Sequence, residues 1–551
     1  MNYMKRIISL LVFSCSLLVS WAQLDNTVEV TNEAKPVVTD VKKMPVKTKP
    51  AETKVTHYTM QYAVDGQALN NYAPEPLGDY ESEAVWKGNK KGYLHLSGGV
   101  LGKLDGQAAY QFDLTENDAL GVDLTFQGFN GKARDNDYFG AKGWKSRDYR
   151  NRTALKYNHR FDNGVDFFVK GGFENHLFNY MGKSLVTDKQ HDVVGNALVG
   201  FTPYQVDNFS IGATAGVKFF SQNHLTNLQK KLGETFVHAD VNGAYKFSDE
   251  HAVGLGIGFV NSSYGNKDLD GITRLRFTPH YLYNNELMEV KLGVFVSTKG
   301  HVAPDASLTY HLNPKSDVYV KVRGYEEDNN FHHLSAIHPY FVLNTGGQKL
   351  KMEDAFHQVD AAVGYRFKDY NGFSGDLGGG FDTSTHHADM TQLSNTVNGL
   401  YYPMMTFSKN KCFYLNADLT YHYADIVKVE AKNRLNITSN KADGAKWIEG
   451  SYITPAFTMD WKADFKLIKD LYVGVDWLLD CYSIPEGVAP GPAYKRPNTV
   501  NFGASIRYTV PVDLPLTVFI KGDNLMNQNY DRYFGYRNIG ANFLGGFALS
   551  F

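Results

Sequence analysis

From Gly92 to Phe551 the sequence alternates apolar and polar residues in segment after segment, and this pattern leaves few folds open. In Leu120 to Gln127, the residues Leu120, Val122, Leu124 and Phe126 fall on one face of an extended chain. Gly121, Asp123, Thr125 and Gln127 fall on the other. Val237, Ala239, Val241 and Tyr245 separate in the same way from His238, Asp240, Asn242 and Lys246. Leu415, Ala417, Leu419 and Tyr421 likewise face away from Asn416, Asp418, Thr420 and His422. After Ala22 no apolar run approaches the ~18 residues of a spanning helix, so a helical membrane protein is excluded. With 35 Tyr, 35 Phe and 51 Gly, the composition is one of strands and turns, which also excludes disorder.

Alternation alone does not name the solvent, because one face of a soluble sandwich alternates too. The connections between strands do. Short ones, such as Thr115 to Asp118, Asp162 to Gly164, Asn284 to Glu286, Lys368 to Ser374 and Ile468 to Asp470, recur along the chain. Between them lie long excursions, among them Asn130 to Tyr149, Ser221 to Gly233, Glu327 to Glu353, Tyr482 to Asn498 and Met526 to Ala541. Outer-membrane barrels show this asymmetry, with tight periplasmic turns and long outside loops. Counting forward from Gly92 and backward from Phe551 agrees in direction if Ala388 to Lys411 is one external excursion, and the total is about 22 strands, an even number. The expected fold is all-β: a transmembrane antiparallel up-and-down β-barrel with a short extended periplasmic segment before it.

The first residues form an export address. Lys5 and Arg6 precede the apolar run Ile7 to Val19, and Ser20-Trp21-Ala22 sets cleavage between Ala22 and Gln23. Lipidation at Cys15 is the alternative. The expected organisation is a signal peptide at 1–22, an extended periplasmic segment at 23–91 and the barrel at 92–551. Lys35-Pro36 through Lys49-Pro50 reads as a basic, polyproline-like tether. Cys412 and Cys481 remain after cleavage, too few for a disulfide framework, though a bond between them is open. Charges of 56 Lys plus Arg against 58 Asp plus Glu leave no basic surplus, so nucleic acid is not an expected partner.

The end of the chain carries a resemblance. Gly522-Asp523-Asn524-Leu525-Met526-Asn527, then Tyr530, Tyr533, Gly535-Tyr536, Gly540 and Phe543, and a final Phe547-Ala548-Leu549-Ser550-Phe551 resemble the last hairpin of a TonB-dependent receptor barrel. The match covers about thirty residues. It implies an outer-membrane location, with Phe551 as the terminal aromatic recognised by the barrel-assembly machinery, and lipid of that membrane as the surroundings. The family also has a folded plug before the barrel and a box pulled by TonB. Gln23 to Lys91 is roughly half the length a plug needs, and Thr27-Val28-Glu29-Val30 resembles a TonB box only faintly. The overall pattern is similar to plugless TonB-receptor-like barrels of Bacteroidota, with TonB, a separate plug or an envelope protein as possible partners.

A barrel this wide without a plug would leak. Lumen-facing Asp123, Lys170, Asp240, Arg274, Lys321, Asp360, Asp418 and Arg507 would line a water-filled hole unless Ala73 to Trp86, an infolded loop such as Glu327 to Glu353, or a partner fills it. Tyr530, Arg532, Tyr533 and Tyr536 are candidates for a ligand platform, against an interfacial aromatic girdle. His332 and His333 with His338, and His386 with His387, are candidate ligands for a metal or haem on external excursions, although adjacent strand residues point apart. Gly254, Gly256 and Gly258 lack dinucleotide-binding spacing, and Asn266, Asp268 and Asp270 lack the closing Glu of a calcium loop, since Phe277 stands there. No catalytic constellation and no cofactor motif emerges, so the chain is not expected to be an enzyme. Two functions remain: uptake or passage of a nutrient ligand, or a non-transporting subunit or docking platform of an envelope complex.

Overall fold

A computed structural model describes residues 91–137, 142–182, 189–223, 232–343, 350–395, 400–442, 444–483, 496–511 and 516–551. The expected signal peptide, its cleavage site Ala22–Gln23 and the segment 23–90 lie outside the described residues.

Twenty-two antiparallel strands, each bonded to its neighbours in the chain, form one sheet that closes on itself, as the alternation predicts. Closure joins the first strand, Gly92–Gly99, to the last, Asn542–Ser550, in register from Tyr93 opposite Ser550 to Gly99 opposite Leu544. Phe551 completes the seam: its carbonyl accepts from Gly92 N at 2.8 Å, and its ring stacks on Tyr110 at 6.1 Å. A Cβ on Gly92 would stand 2.4 Å from that ring, so a glycine is needed there. No strand edge is left among the wall strands, which is what a sheet in hydrocarbon requires.

The strand Leu400–Tyr423 shows how the sequence sets the outer surface. Phe413, Leu415 and Tyr423 are exposed, and Ala417, Leu419 and Tyr421 share their face. From Phe413 to Tyr423 is roughly 34 Å of strand, or ~26 Å of height at a tilt of ~40°, about the thickness of an outer-membrane apolar band. One polar outward residue in that band, Asn433 on the strand Val427–Lys441, is satisfied locally: its Oδ1 accepts from Trp461 Nε1 at 3.0 Å.

The wall is not of even height. Strands beside the seam are short, with 8 residues in Gly92–Gly99 and 8 in Leu516–Asp523. Phe373–Asn395 and Leu400–Tyr423 have 23 and 24 and rise far past the band at the long-loop end. The inner face carries glycines on which neighbouring rings lie flat. A Cβ on Gly364 would meet the Tyr319 ring at 2.4 Å, and one on Gly254 would meet the His280 ring at 2.4 Å. The Gly254–Gly256–Gly258 run therefore serves the lumen wall, leaving room for His280, Thr278 and Asp240.

Candidate functional site

At the long-loop end the lumen is filled by two loops from distant parts of the sequence. The first, between the strands Ser316–Glu327 and Ala355–Tyr370, carries the helix Phe331–Ile337. Asn330 caps it, its Oδ1 accepting from His333 N at 2.8 Å. Phe331 and Leu334 are fully buried, and with Phe341, Leu343 and Met352 they pack on wall residues Val194, Phe220, Leu232 and Ile272. Short stretches of the loop pair in parallel, Val342–Leu343 beside Met404–Met405 of a wall strand and Leu350–Lys351 beside Leu269–Asp270 in a separate two-stranded sheet. Of the three candidates for filling the lumen, the infolded loop is seen at its described residues 327–343 and 350–353, while Ala73 to Trp86 lies outside the described residues.

Charge fixes this loop where it meets the wall. Arg274 is 1% exposed, so it is not the water-facing lumen residue its alternation suggests. Its guanidinium pairs with Asp328, with Asp354 (Nη1 to Oδ2, 2.5 Å) and with Glu326 (Nε to Oε2, 3.5 Å). Arg276 adds bonds to Glu326 at 3.1 Å and Asp328 at 2.5 Å, and His301 Nδ1 lies 2.6 Å from Glu326. Burial pushes the Asp354 carboxyl up to about 7, against the pull of Arg274.

The second loop lies between Leu516–Asp523 and Asn542–Ser550 and holds the sequence-predicted cluster Tyr530, Arg532, Tyr533 and Tyr536. All three tyrosines are buried, Tyr536 to 2%, so they form neither an interfacial girdle nor an open platform. Tyr536 stacks on Tyr340 of the first loop at 3.8 Å, joining the two loops. Arg150 Nη2 donates to Tyr533 OH at 2.8 Å, and Arg532 Nη1 lies 3.0 Å from Asp148 with its guanidinium 4.7 Å from the Phe129 ring. Asp531 is held by Arg537 at 3.0 Å and accepts from Gly535 N at 2.8 Å. Between the loops sits His338, the third histidine of the candidate metal or haem group with His332 and His333, in surroundings of its own. Its Nε2 is 3.1 Å from Phe534 O, rings of Tyr340, Tyr533 and Tyr536 surround it, and burial drives its pKa down to about 3.

The candidate metal ligands divide. His333 Nε2 faces Glu327 at 3.5 Å, and His387 is buried beside the same carboxylate and His357. His386 instead meets Glu353 at 2.7 Å, and His332 is buried near Lys218. Neighbouring histidines go to different surroundings, and among the described residues no group of three His, Cys, Asp or Glu is placed to hold a metal ion. Cys412 and Cys481 are both free thiols. Under the second loop, beside the seam, a cavity of about 90 Å³ is lined by Lys103, Phe129, Asp523, Tyr530 and Arg532 among others. Lys103 Nζ is 3.8 Å from Asp523, and burial lowers its pKa to about 7.

No family model and no curated protein matches the sequence. Solved structures do match the fold. A ferric enterobactin receptor (PfeA) from Pseudomonas aeruginosa in complex with enterobactin aligns with a TM-score of 0.62 at 12% identity, covering 84% of this chain and 81% of that one. The ferric-catecholate import receptor Fiu from E. coli gives 0.59 at 11%, covering 84% and 82%. The siderophore receptor PirA from Acinetobacter baumannii gives 0.61 at 10%, covering 84% and 80%. At such identities the likeness is one of fold: this chain has the barrel of siderophore receptors.

Proposed function

We propose that the chain is a non-enzymatic, receptor-like barrel of the outer membrane that takes up a nutrient ligand, with its long-loop end outside and its N-terminus in the periplasm. The observation that carries this reading is the pair of loops sharing one core inside a siderophore-receptor fold. A lumen this wide is closed from outside by the chain's own residues, where a receptor with a complete plug closes it from within. We further propose that the barrel belongs with the plugless TonB-receptor-like group of Bacteroidota, with TonB or a separate plug supplying the energised step. A ferric siderophore is the first ligand class to try, because the structural neighbours Fiu and PfeA are named as receptors for ferric catecholate and ferric enterobactin.

The test is accumulation of radiolabelled iron, supplied as a ferric catecholate or another nutrient complex, by cells in which this is the main receptor barrel. Saturable uptake that stops when TonB is removed supports the reading. Folded surface protein without uptake of any ligand tried, together with a stable co-purifying envelope protein, would establish the docking-platform alternative. That second reading draws on the loop core, which packs the two loops on each other and on the wall at the long-loop end. Planar-bilayer recording adds a direct check: closed baseline for the intact protein, large conductance once residues 331–341 are replaced by a short glycine-serine linker.

A further inference from the structure

Charges at the two edges of the apolar belt are arranged differently. At the short-turn edge, cations sit beside carboxylates: Lys91 with Asp113 at 2.8 Å, Arg160 with Asp166 at 3.3 Å, Lys315 with Asp369 at 3.5 Å. At the long-loop edge, two pairs of lysines stand directly opposite each other across a ladder. Lys409 is partnered in register with Lys441, and Lys132 with Lys145. Like charges placed opposite one another weaken a ladder unless something between them carries the opposite sign.

Each pair faces outward and lies just above the belt. Lys409 and Lys411 continue the face of Phe413 and Leu415, and Lys441 continues that of Ile437. Lys132 continues the face of Phe126, and Lys145 that of Tyr149, whose rings stack at 6.0 Å. Each pair has a third cation within two residues on the same face, Lys411 in one and Arg147 in the other. Lys411 lies 4.5 Å from the Trp447 ring, an aromatic placement typical of a membrane interface. Among the described residues, none of these six side chains has a carboxylate within ion-pairing distance. The acids near them are Glu449, in register with Ser439, and Asp135 and Asp137 after Lys132; Asp137 is taken up by Lys142 at 3.9 Å and Asp135 accepts from Gly143 N. A lone interfacial lysine needs no explanation beyond its stem lying on the apolar surface. Two opposed pairs on the lipid-facing side, both at one edge, do; the other in-register lysine pair, Lys156 with Lys170, is on the lumen face.

We propose that the Lys409–Lys441 and Lys132–Lys145 pairs, with Lys411 and Arg147, are binding sites for the phosphate groups of anionic lipid in the outer leaflet. A phosphate between two ammonium groups supplies the missing counter-charge, and acyl chains continue down the apolar face below. The inference rests on the outer-membrane placement proposed above but not on the ligand carried.

The experiment uses the full-length protein, purified folded in detergent and exchanged into nanodiscs of phosphatidylcholine and phosphatidylglycerol with matched chains. Native mass spectrometry counts the lipids retained on release. Enrichment of the anionic lipid by about fivefold is expected, given the attraction of each basic residue near the surface. It should fall by about half in Lys409→Gln/Lys441→Gln and in Lys132→Gln/Lys145→Gln, and to within about twofold of none in the fourfold variant. Lys156→Gln, inside the lumen, should leave it unchanged. Heat-modifiable migration on gels confirms that each variant is a closed barrel. Absence of enrichment in the parent, equal loss in the lumen control, or displacement of the lipid by millimolar inorganic phosphate would each overturn the proposal. A protein that stays soluble without detergent would instead overturn the membrane placement itself.

Discussion

Replacing Arg274 by methionine tests whether the first loop is latched by charge. The guanidinium is buried against three carboxylates, and Arg276 remains to compensate Glu326 and Asp328, so the variant strands chiefly Asp354. Breaking a buried pair by removing one partner costs about 3–5 kcal/mol, and the partial cover by Arg276 places this case near ~3 kcal/mol. The wall strands keep their ladders, so that free energy appears as opening of the loop: about a hundredfold rise in its open population. Hydrogen exchange of the amides of 331–341, measured by mass spectrometry in detergent, should accelerate by about two orders of magnitude at pH 8 while strand amides stay unchanged. Burial raises the Asp354 carboxyl and Arg274 pulls it down, so removing Arg274 raises it further. In the variant the fold favours the protonated form, whose stabilising effect is full below the ordinary carboxylate range and is lost at higher pH, so protection should largely recover at pH 5. Exchange within about threefold of the parent at pH 8 would show that apolar packing alone holds the loop and that the latch reading is wrong.

Acidification should act on the join between the loops. Neutral His338 keeps a folded pKa of about 3 against an ordinary value of 6.5, so the stability it lends is full above 6.5 and declines as pH falls toward 3. Exchange at Phe341 and Phe534 should rise over that window, and His338→Gln, which retains a donor for Phe534 O without titrating there, should flatten the profile. Gly364→Val should destabilise the barrel by about 1–3 kcal/mol, because the new Cβ displaces the Tyr319 ring and its 2.8 Å bond to Asp376; the temperature of the heat-modifiable gel shift reads this, and an unchanged transition would refute it. Removing Phe551 should sharply reduce the amount of folded barrel in the outer membrane, since the residue both closes the seam and, by the resemblance of the last hairpin, carries the sorting signal; normal yield would dismiss both roles.

What the sequence made readable was whatever each strand faces for itself. Leu120, Val122, Leu124 and Phe126 alternate because hydrocarbon lies on one side of every wall strand, and that constraint repeats often enough to give the strand number. The loops have no such local rule. Tyr530, Tyr533 and Tyr536 have the composition of an interfacial girdle, and only the contacts of Tyr533 and Tyr536 with Tyr340, about two hundred residues away, make those two a core. Arg274 follows the alternation of a lumen residue, yet its burial depends on where Asp328 and Asp354 fold. His338 was legible only as a further histidine beside His332 and His333, and its place among the rings of Tyr340, Tyr533 and Tyr536 depends on how the second loop folds. Gly254, Gly256 and Gly258 were legible as strand glycines, but their use, giving flat beds to His280, Thr278 and Asp240, depends on the register of the adjacent strands.

The two loops are fastened by different balances of forces, and this bears on how the lumen could open. The first buries Phe331, Leu334, Phe341 and Met352, a gross apolar gain of about 6–12 kcal/mol before the cost of ordering the loop is subtracted. The second buries Tyr533, Phe534 and Tyr536 against the first, and adds polar contacts, Arg532 to Asp148, Arg150 to Tyr533 and Asn136 Nδ2 to Gly535 O at 3.1 Å, at the low side of the wall where the strands are short. A ligand shifts a conformation only by its difference in affinity for the two states, and micromolar binding amounts to ~8 kcal/mol in total. Exchanging polar partners on the second loop lies within that range, because a ligand can replace each bond it breaks. Expelling the first loop exposes apolar area for which a polar ligand offers no substitute. A first, ligand-driven step is therefore expected at the second loop, beside the seam and over the cavity lined by Lys103, Phe129 and Arg532, while release of the first loop calls for work supplied by a partner.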